Sequence, residues 1–254
     1  MTRLKTYSLV SVGFITGALL WLPASLLDMG AGYWRDAPGR PTEFAGSVWR
    51  GSARIILSQP SSNTTAPYLP GRLHWHIGIA GWLPYAQFNL DCCMATPLRV
   101  TLSRKGPGSA FSLTGLNLQV PADWLGSLGA PFNTLRPQGQ LSVESEQLLL
   151  EFGPEGLHTR GSAKLDLNNF TSALSTIQPL GSYRLSFDAQ GPTTNITLTT
   201  SMGALKLSGT GVLSNGRLQF RGQASSDPKH QNALNNLLNI IGKRQGSNSI
   251  ISIG

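Results

Sequence analysis

Apolar and polar residues alternate with a period of two along most of this chain. Trp49, Gly51, Ala53, Ile55 and Leu57 share one side of a strand while Arg50, Ser52 and Arg54 take the other. Leu73, Trp75, Ile77 and Ile79 alternate with Arg72, His74, His76 and Gly78. The same rhythm predicts strands through Phe88 and Leu90, Leu98 to Leu102, Leu116 to Val120, Ala163 to Leu167, Tyr183 to Phe187, Ile196 to Leu198, and Leu218 to Phe220. Gly153-Pro154, Gly191-Pro192 and Asn215-Gly216 mark tight turns between them, the last being the strongest hairpin signal. Short alternating strands joined by turns predict an antiparallel meander in which each strand buries one face. The expected fold is therefore mainly β, a curved meander sheet, and alternation leaves a closed barrel, a two-layer sandwich and an open trough as alternatives.

Two stretches break the rhythm. Thr6 to Leu27 is a run of 22 residues without a charge, preceded by Arg3 and Lys5 and followed by Asp28. That length suits a single transmembrane helix, and the flanking charges keep Met1 in the cytoplasm and export the remainder. A cleaved signal peptide ending near Ala24 is the rival, although no A-x-A site follows. The second break is a helix near the C-terminus. Asp227 is placed to cap it and Pro228 suits its first position; Leu234, Leu237, Leu238 and Ile241 form its apolar stripe, and Gly242 ends it. Shorter helices are expected at Ala122–Leu128 and Phe170–Ile177, and an edge strand through Ile250, Ile251 and Ile253. The expected organisation is an anchor over 1–27, a Gly/Pro-rich linker over 28–41, and an exported β domain over 42–254.

Composition narrows the chemistry. With 29 Gly, 16 Pro and 40% hydrophobic residues, the chain is turn-rich and neither collagenous nor disordered. The formal net charge is +8, but it reflects only 12 acids against 20 scattered Lys and Arg; no basic stripe interleaved with aromatics points to nucleic acid. His74 and His76 share a strand face two residues apart, yet lack an evident third metal ligand, so they read as polar residues of the solvated face. Glu144, Glu146, Glu151 and Glu155 read as a solvated rim around a hairpin and not as the close carboxylate pair of glycoside hydrolysis. No G-x-S-x-G elbow, P-loop or strand-linked GxGxxG occurs, and no catalytic, cofactor or metal residue is assigned. The only cysteines, Cys92 and Cys93, are adjacent; a bond between neighbours departs from preferred disulfide geometry, so they read as structural thiols at a strand end.

One motif is more particular than packing demands. Pro23-Ala24 at the end of the uncharged run, then Gly46-Ser47-Val48-Trp49-Arg50-Gly51, then Leu73-His74-Trp75, resemble the entry pattern of the type II secretion system protein N family. Gly222-Gln223-Ala224 with Pro228, Leu234, Leu238 and Gly242 is similar to that family's closing strand and helix. Residues 100 to 210 match only in style, and Cys92-Cys93 is not part of the pattern. The resemblance implies a non-enzymatic accessory component of the type II secretion apparatus, single-pass in the bacterial inner membrane. Its periplasmic domain would contact the inner-membrane platform and the outer-membrane secretin. It implies Gly46, Val48, Trp49, Gly51, Leu73, Trp75, Gly222, Ala224, Pro228, Leu234, Leu238 and Gly242 as structural or partner-contact residues. The competing reading of the residues is a periplasmic lipid-binding or lipid-transfer groove, because many consecutive strands carry apolar faces that one helix cannot cover.

Overall fold

The computed structural model describes residues 21–34, 37, 39–57, 68–106, 108–129, 132–154 and 156–254. The first strands are β1 (Gly39–Gly46), β2 (Arg50–Leu57), β3 (Leu73–Ala80), β4 (Leu83–Leu90), β5 (Leu98–Lys105), β6 (Gly108–Pro121) and β7 (Gln138–Gly153). They are followed by β8 (Gly156–Thr171), β9 (Gly181–Gly191), β10 (Thr193–Gly203), β11 (Leu205–Ser214), β12 (Arg217–Ser226), β13 (Lys243–Gln245) and β14 (Asn248–Ile253). All fourteen form one antiparallel sheet in the order of the chain, except that β14 lies between β12 and β13. The edges β1 and β13 do not pair with each other, so the sheet is open; of the three architectures that alternation allowed, neither the closed barrel nor the sandwich is formed.

Alternation puts an apolar row on one face: Val120, Leu141, Leu167 and Tyr183 are successive cross-strand partners. Beside it run Leu118, Val143, Leu165, Leu185 and Leu198. The opposite face carries Gln119, Ser142, Asp166, Arg184 and Thr199 in the same way. There Asp166 takes Nε and Nη2 of Arg184 at 2.6 and 3.0 Å, which raises the guanidinium pKa further.

At one end of the sheet the connections after β4, β6, β8 and β12 are long and pack apolar residues onto the core, whereas those at the other end are tight hairpins. At the covered end, a 3-10 helix at Ala122–Leu128 brings Trp124 and Leu125 against Leu57, Leu69, Leu90, Val120 and Leu141. The C-terminal helix Gln231–Ile241 buries Leu234, Leu237 and Leu238 against Leu180, Tyr183, Leu205 and Ala224. Burying leucines of this kind stabilises by roughly 1.5–3 kcal/mol each. At the hairpin end the expected Asn215-Gly216 turn is present, with both residues at positive φ.

Several expectations require correction. Phe170–Ile177 is not a helix: Phe170 and Thr171 complete β8, and the chain then turns to Leu180. Asp227 makes no side-chain cap; a short 3-10 turn at Pro228–His230 precedes the C-terminal helix. The strands are longer than their alternation suggested, and Glu144, Glu146 and Glu151 all belong to the single strand β7; Glu155 lies outside the described residues. Cys92 and Cys93 are joined in a vicinal disulfide within the turn after β4, where Cys93 N–H donates to the Leu90 carbonyl. Most of the expected membrane run, residues 6–20, lies outside the described residues, as do residues 1–5 before it. Among the described residues no helix is long and apolar enough to cross a membrane. Ala24–Trp34 forms a 3-10 helix that begins within the end of that run and extends through much of the expected linker.

Candidate functional site

The motif residues gather at two places, one near each edge of the sheet. The first is a lock between the β1–β2 turn and β3. Ser47 N–H donates to the Arg50 carbonyl at 2.9 Å, and Ser47 Oγ accepts from Arg50 N–H at 3.1 Å, closing a tight turn around Val48 and Trp49. Gly46 enters that turn at φ +86°, and a Cβ there would stand 2.6 Å from the Arg50 carbonyl oxygen. The Trp75 indole N–H reaches across from β3 to the Val48 carbonyl at 2.9 Å, and Ile77 N–H donates to the Trp49 carbonyl at 2.7 Å. The Trp75 ring lies over Gly51, its register partner, where any β-carbon would collide with it. Phe44 meets the ring edge-on at 6.2 Å, and Ala24 and Ala53 complete this buried cluster.

The lock also holds the N-terminal segment. Val48 N–H donates to the Leu22 carbonyl at 2.9 Å, and Pro23 forms an isolated bridge to Ser47. Pro23-Ala24 is thus brought to the motif that follows it in sequence, with Ala24 fully buried. Trp49 was expected on an apolar strand face; it occupies the turn instead, with 39% of its surface exposed. Leu73 is half-buried and pairs with Leu90.

The second group closes the other edge. Ala224 is fully buried beneath Leu234 and Leu238, and Gly222 leaves room for the Ser208 carbonyl, which a Cβ would approach to 2.6 Å. Gly242 follows the helix in an extended conformation, not a left-handed cap, and its missing side chain admits the Ile250 carbonyl. Ser249, fully buried on β14, donates its hydroxyl to the Leu238 carbonyl at 2.5 Å and ties the helix end to the sheet. Two residues that sequence reading passed over prove central here. Leu180, just before β9, and Leu205, the first residue of β11, are almost completely buried; Leu180 is a single leucine beside a turn, whereas Leu205 begins a short alternation with Leu207 that could have been found.

Groups able to carry chemistry do not converge. His74 Nε2 lies 3.0 Å from Asp91 Oδ2, while His76 packs edge-on against Tyr85 at 5.8 Å. These histidines border a shallow cleft of 240 Å³ with Arg50, Gln87 and Asn89. Among the described residues no three His, Cys, Asp or Glu side chains gather as metal ligands. The β7 carboxylates are spread along the strand. The hydrogen bond from Lys105 holds the Glu151 carboxyl below the usual range against opposing desolvation, with the Lys105 charge adding to it. Glu144 is seven residues from Glu151, roughly 23 Å along an extended strand, too far for those two to act as a carboxylate pair.

A third feature had no motif to announce it. Val100, Leu113 and Leu148 are successive partners on the apolar face, as are Phe111 and Leu150, yet these residues belong to none of the three core clusters. The Ala24–Trp34 helix meets β1 and β2, the Ala122–Leu128 helix meets β7, and the C-terminal helix meets β12 to β14. Toward the hairpin end, no described helix lies on the middle of the sheet, and the apolar rows form a trough that is open among the described residues.

Residues 40–251 match the family model for type II secretion system protein N. No curated protein and no solved structure matches the chain.

Proposed function

Since the chain belongs to the type II secretion system protein N family, we propose that it is a non-catalytic accessory component of the secretion apparatus, anchored in the inner membrane by the part of the uncharged run that precedes Leu22, with its β domain in the periplasm. The family match over 40–251 carries this reading. The lock around Val48 supports it: the fold binds Leu22 and Pro23 directly, so the end of the uncharged run is a fixed part of the domain. The partners proposed are inner-membrane platform components and the outer-membrane secretin. Deleting the gene should abolish or sharply lower export of type II substrates, and crosslinking in cells should capture a platform or secretin component. Unchanged export together with no captured component would refute the role.

The trough supports a second reading, a lipid-binding or lipid-transfer groove. Its apolar rows lie outside the buried clusters, and no described helix packs on them, which is the kind of surface that accepts acyl chains. Mass spectrometry of the gently purified full chain should then find phospholipid at a fixed ratio to protein. A lipid-free preparation that remains folded would exclude it.

A further inference from the structure

The β3–β4 hairpin ends in Ile79-Ala80-Gly81-Trp82-Leu83-Pro84, with Ile79 75%, Trp82 97% and Leu83 44% exposed. Such a tip is costly to hold in water. Nothing in the hairpin offsets it, for the fourteen residues from Ile77 to Leu90 include no charge. The adjacent β5–β6 hairpin at the same end is unlike it and presents Arg104 and Lys105.

The tip lies beside the exit of the N-terminal run. Leu22 is bonded to Val48, and the adjoining Trp49 carbonyl is bonded to Ile77, from which β3 continues directly to the tip. At about 3.3 Å per residue, Trp82 is no more than roughly 17 Å beyond Ile77. Trp21, immediately before Leu22, is itself 87% exposed. Exposed tryptophans beside an uncharged span are placed as residues of a membrane interface are, and exposed Arg50 and Arg104 at this end suit anionic headgroups.

We propose that the Ile79–Pro84 tip inserts into the outer leaflet of the bilayer that holds the N-terminal run, seating the open, hairpin end of the trough on the membrane surface. This rests on the anchored reading above. The occupant is phospholipid: an uncharged tip with Trp82 at its apex suits the acyl–headgroup boundary, where the indole ring is apolar and its N–H wet.

The test uses the full chain in phosphatidylethanolamine/phosphatidylglycerol liposomes, with and without acyl-brominated phosphatidylcholine. Trp82→Phe leaves the fold intact because Trp82 packs on almost nothing. The emission lost in Trp82→Phe isolates the indole at the tip. That emission should be blue-shifted, fall about twofold or more when brominated lipid is present, and resist aqueous iodide. If the chain floats with the liposomes but this emission is iodide-quenched and insensitive to bromine, the tip is in water or awaits a protein partner, and the proposal is overturned while the anchor stands. If the chain does not float with the liposomes, both fall.

Discussion

Trp75 gives the clearest account of why a motif residue cannot change. Its ring fills the space over Gly51 and its N–H satisfies the Val48 carbonyl. Trp75→Phe should lose about 0.5–1.5 kcal/mol from the hydrogen bond alone. Gly51→Ala should lose at least about 1–3 kcal/mol, because its Cβ displaces the ring and also meets the Ser47 and Ala45 carbonyl oxygens at 2.7 and 2.8 Å; urea unfolding of the detergent-solubilised chain measures both. Tyr183 supplies a dependence on pH. Its hydroxyl donates to the Leu205 carbonyl at 3.0 Å, and burial pushes the phenol pKa above its ordinary value. A group whose folded pKa is raised stabilises fully below its unfolded pKa, about 10, and the contribution is lost as pH rises past it. The wild type should therefore lose stability between neutral pH and pH about 10.5, and Tyr183→Phe should lose less over that interval while starting about 1 kcal/mol lower. Equal losses in both proteins would remove Tyr183 as the cause.

At the scale of elements, the strands and the C-terminal helix were legible because burial on one face imposes a period on the sequence. Leu234, Leu237 and Leu238 are the buried stripe of that helix, as their spacing required, and Leu238→Ala should cost about 2–5 kcal/mol. β7 was only partly legible because its phase changes. Leu141 and Val143 face the apolar side, but so do Leu148 and Leu150, an odd number of residues further on; the register with β8 shifts between Glu144 and Leu148. A reader following strict alternation loses the strand at that bulge and sees a hairpin rim instead. The false helix at Phe170–Ile177 has a related cause. Phe170, Leu174 and Ile177 recur at helical spacing because a turning segment packs them all toward Leu180 and Tyr183, not because the backbone is helical. The motif lock was visible as residues but not as contacts, since a bond from Trp75 to Val48 spans 27 positions and depends on the β2–β3 register.

Taken as a whole, the described residues form a sheet fixed near both edges and, toward its hairpin end, covered by no described helix between them. Trp75 and its neighbours secure β1 to β3, while the C-terminal helix secures β12 to β14. Nine strand steps separate β3 from β12 in the sheet order, which at about 4.8 Å per step is on the order of 40 Å along the sheet. Gly51→Ala and Leu238→Ala share no contact across that distance, so their stability losses should add to within about 0.5 kcal/mol in the double variant. A large deviation would mean that the sheet curls until its two ends pack together, which would also roof the trough and remove the basis for a groove. Because Trp75, Ala224, Leu234 and Leu238 are buried, their substitution should lower the amount of protein and its export in parallel. Trp49 is different: its side chain is partly exposed in the turn that receives Leu22. Trp49→Ala should leave the cellular level within about twofold of wild type, as substitutions away from the core generally do. If export falls while that level holds, Trp49 is a partner-contact residue; if level and export fall together, its role is structural like that of the buried motif residues.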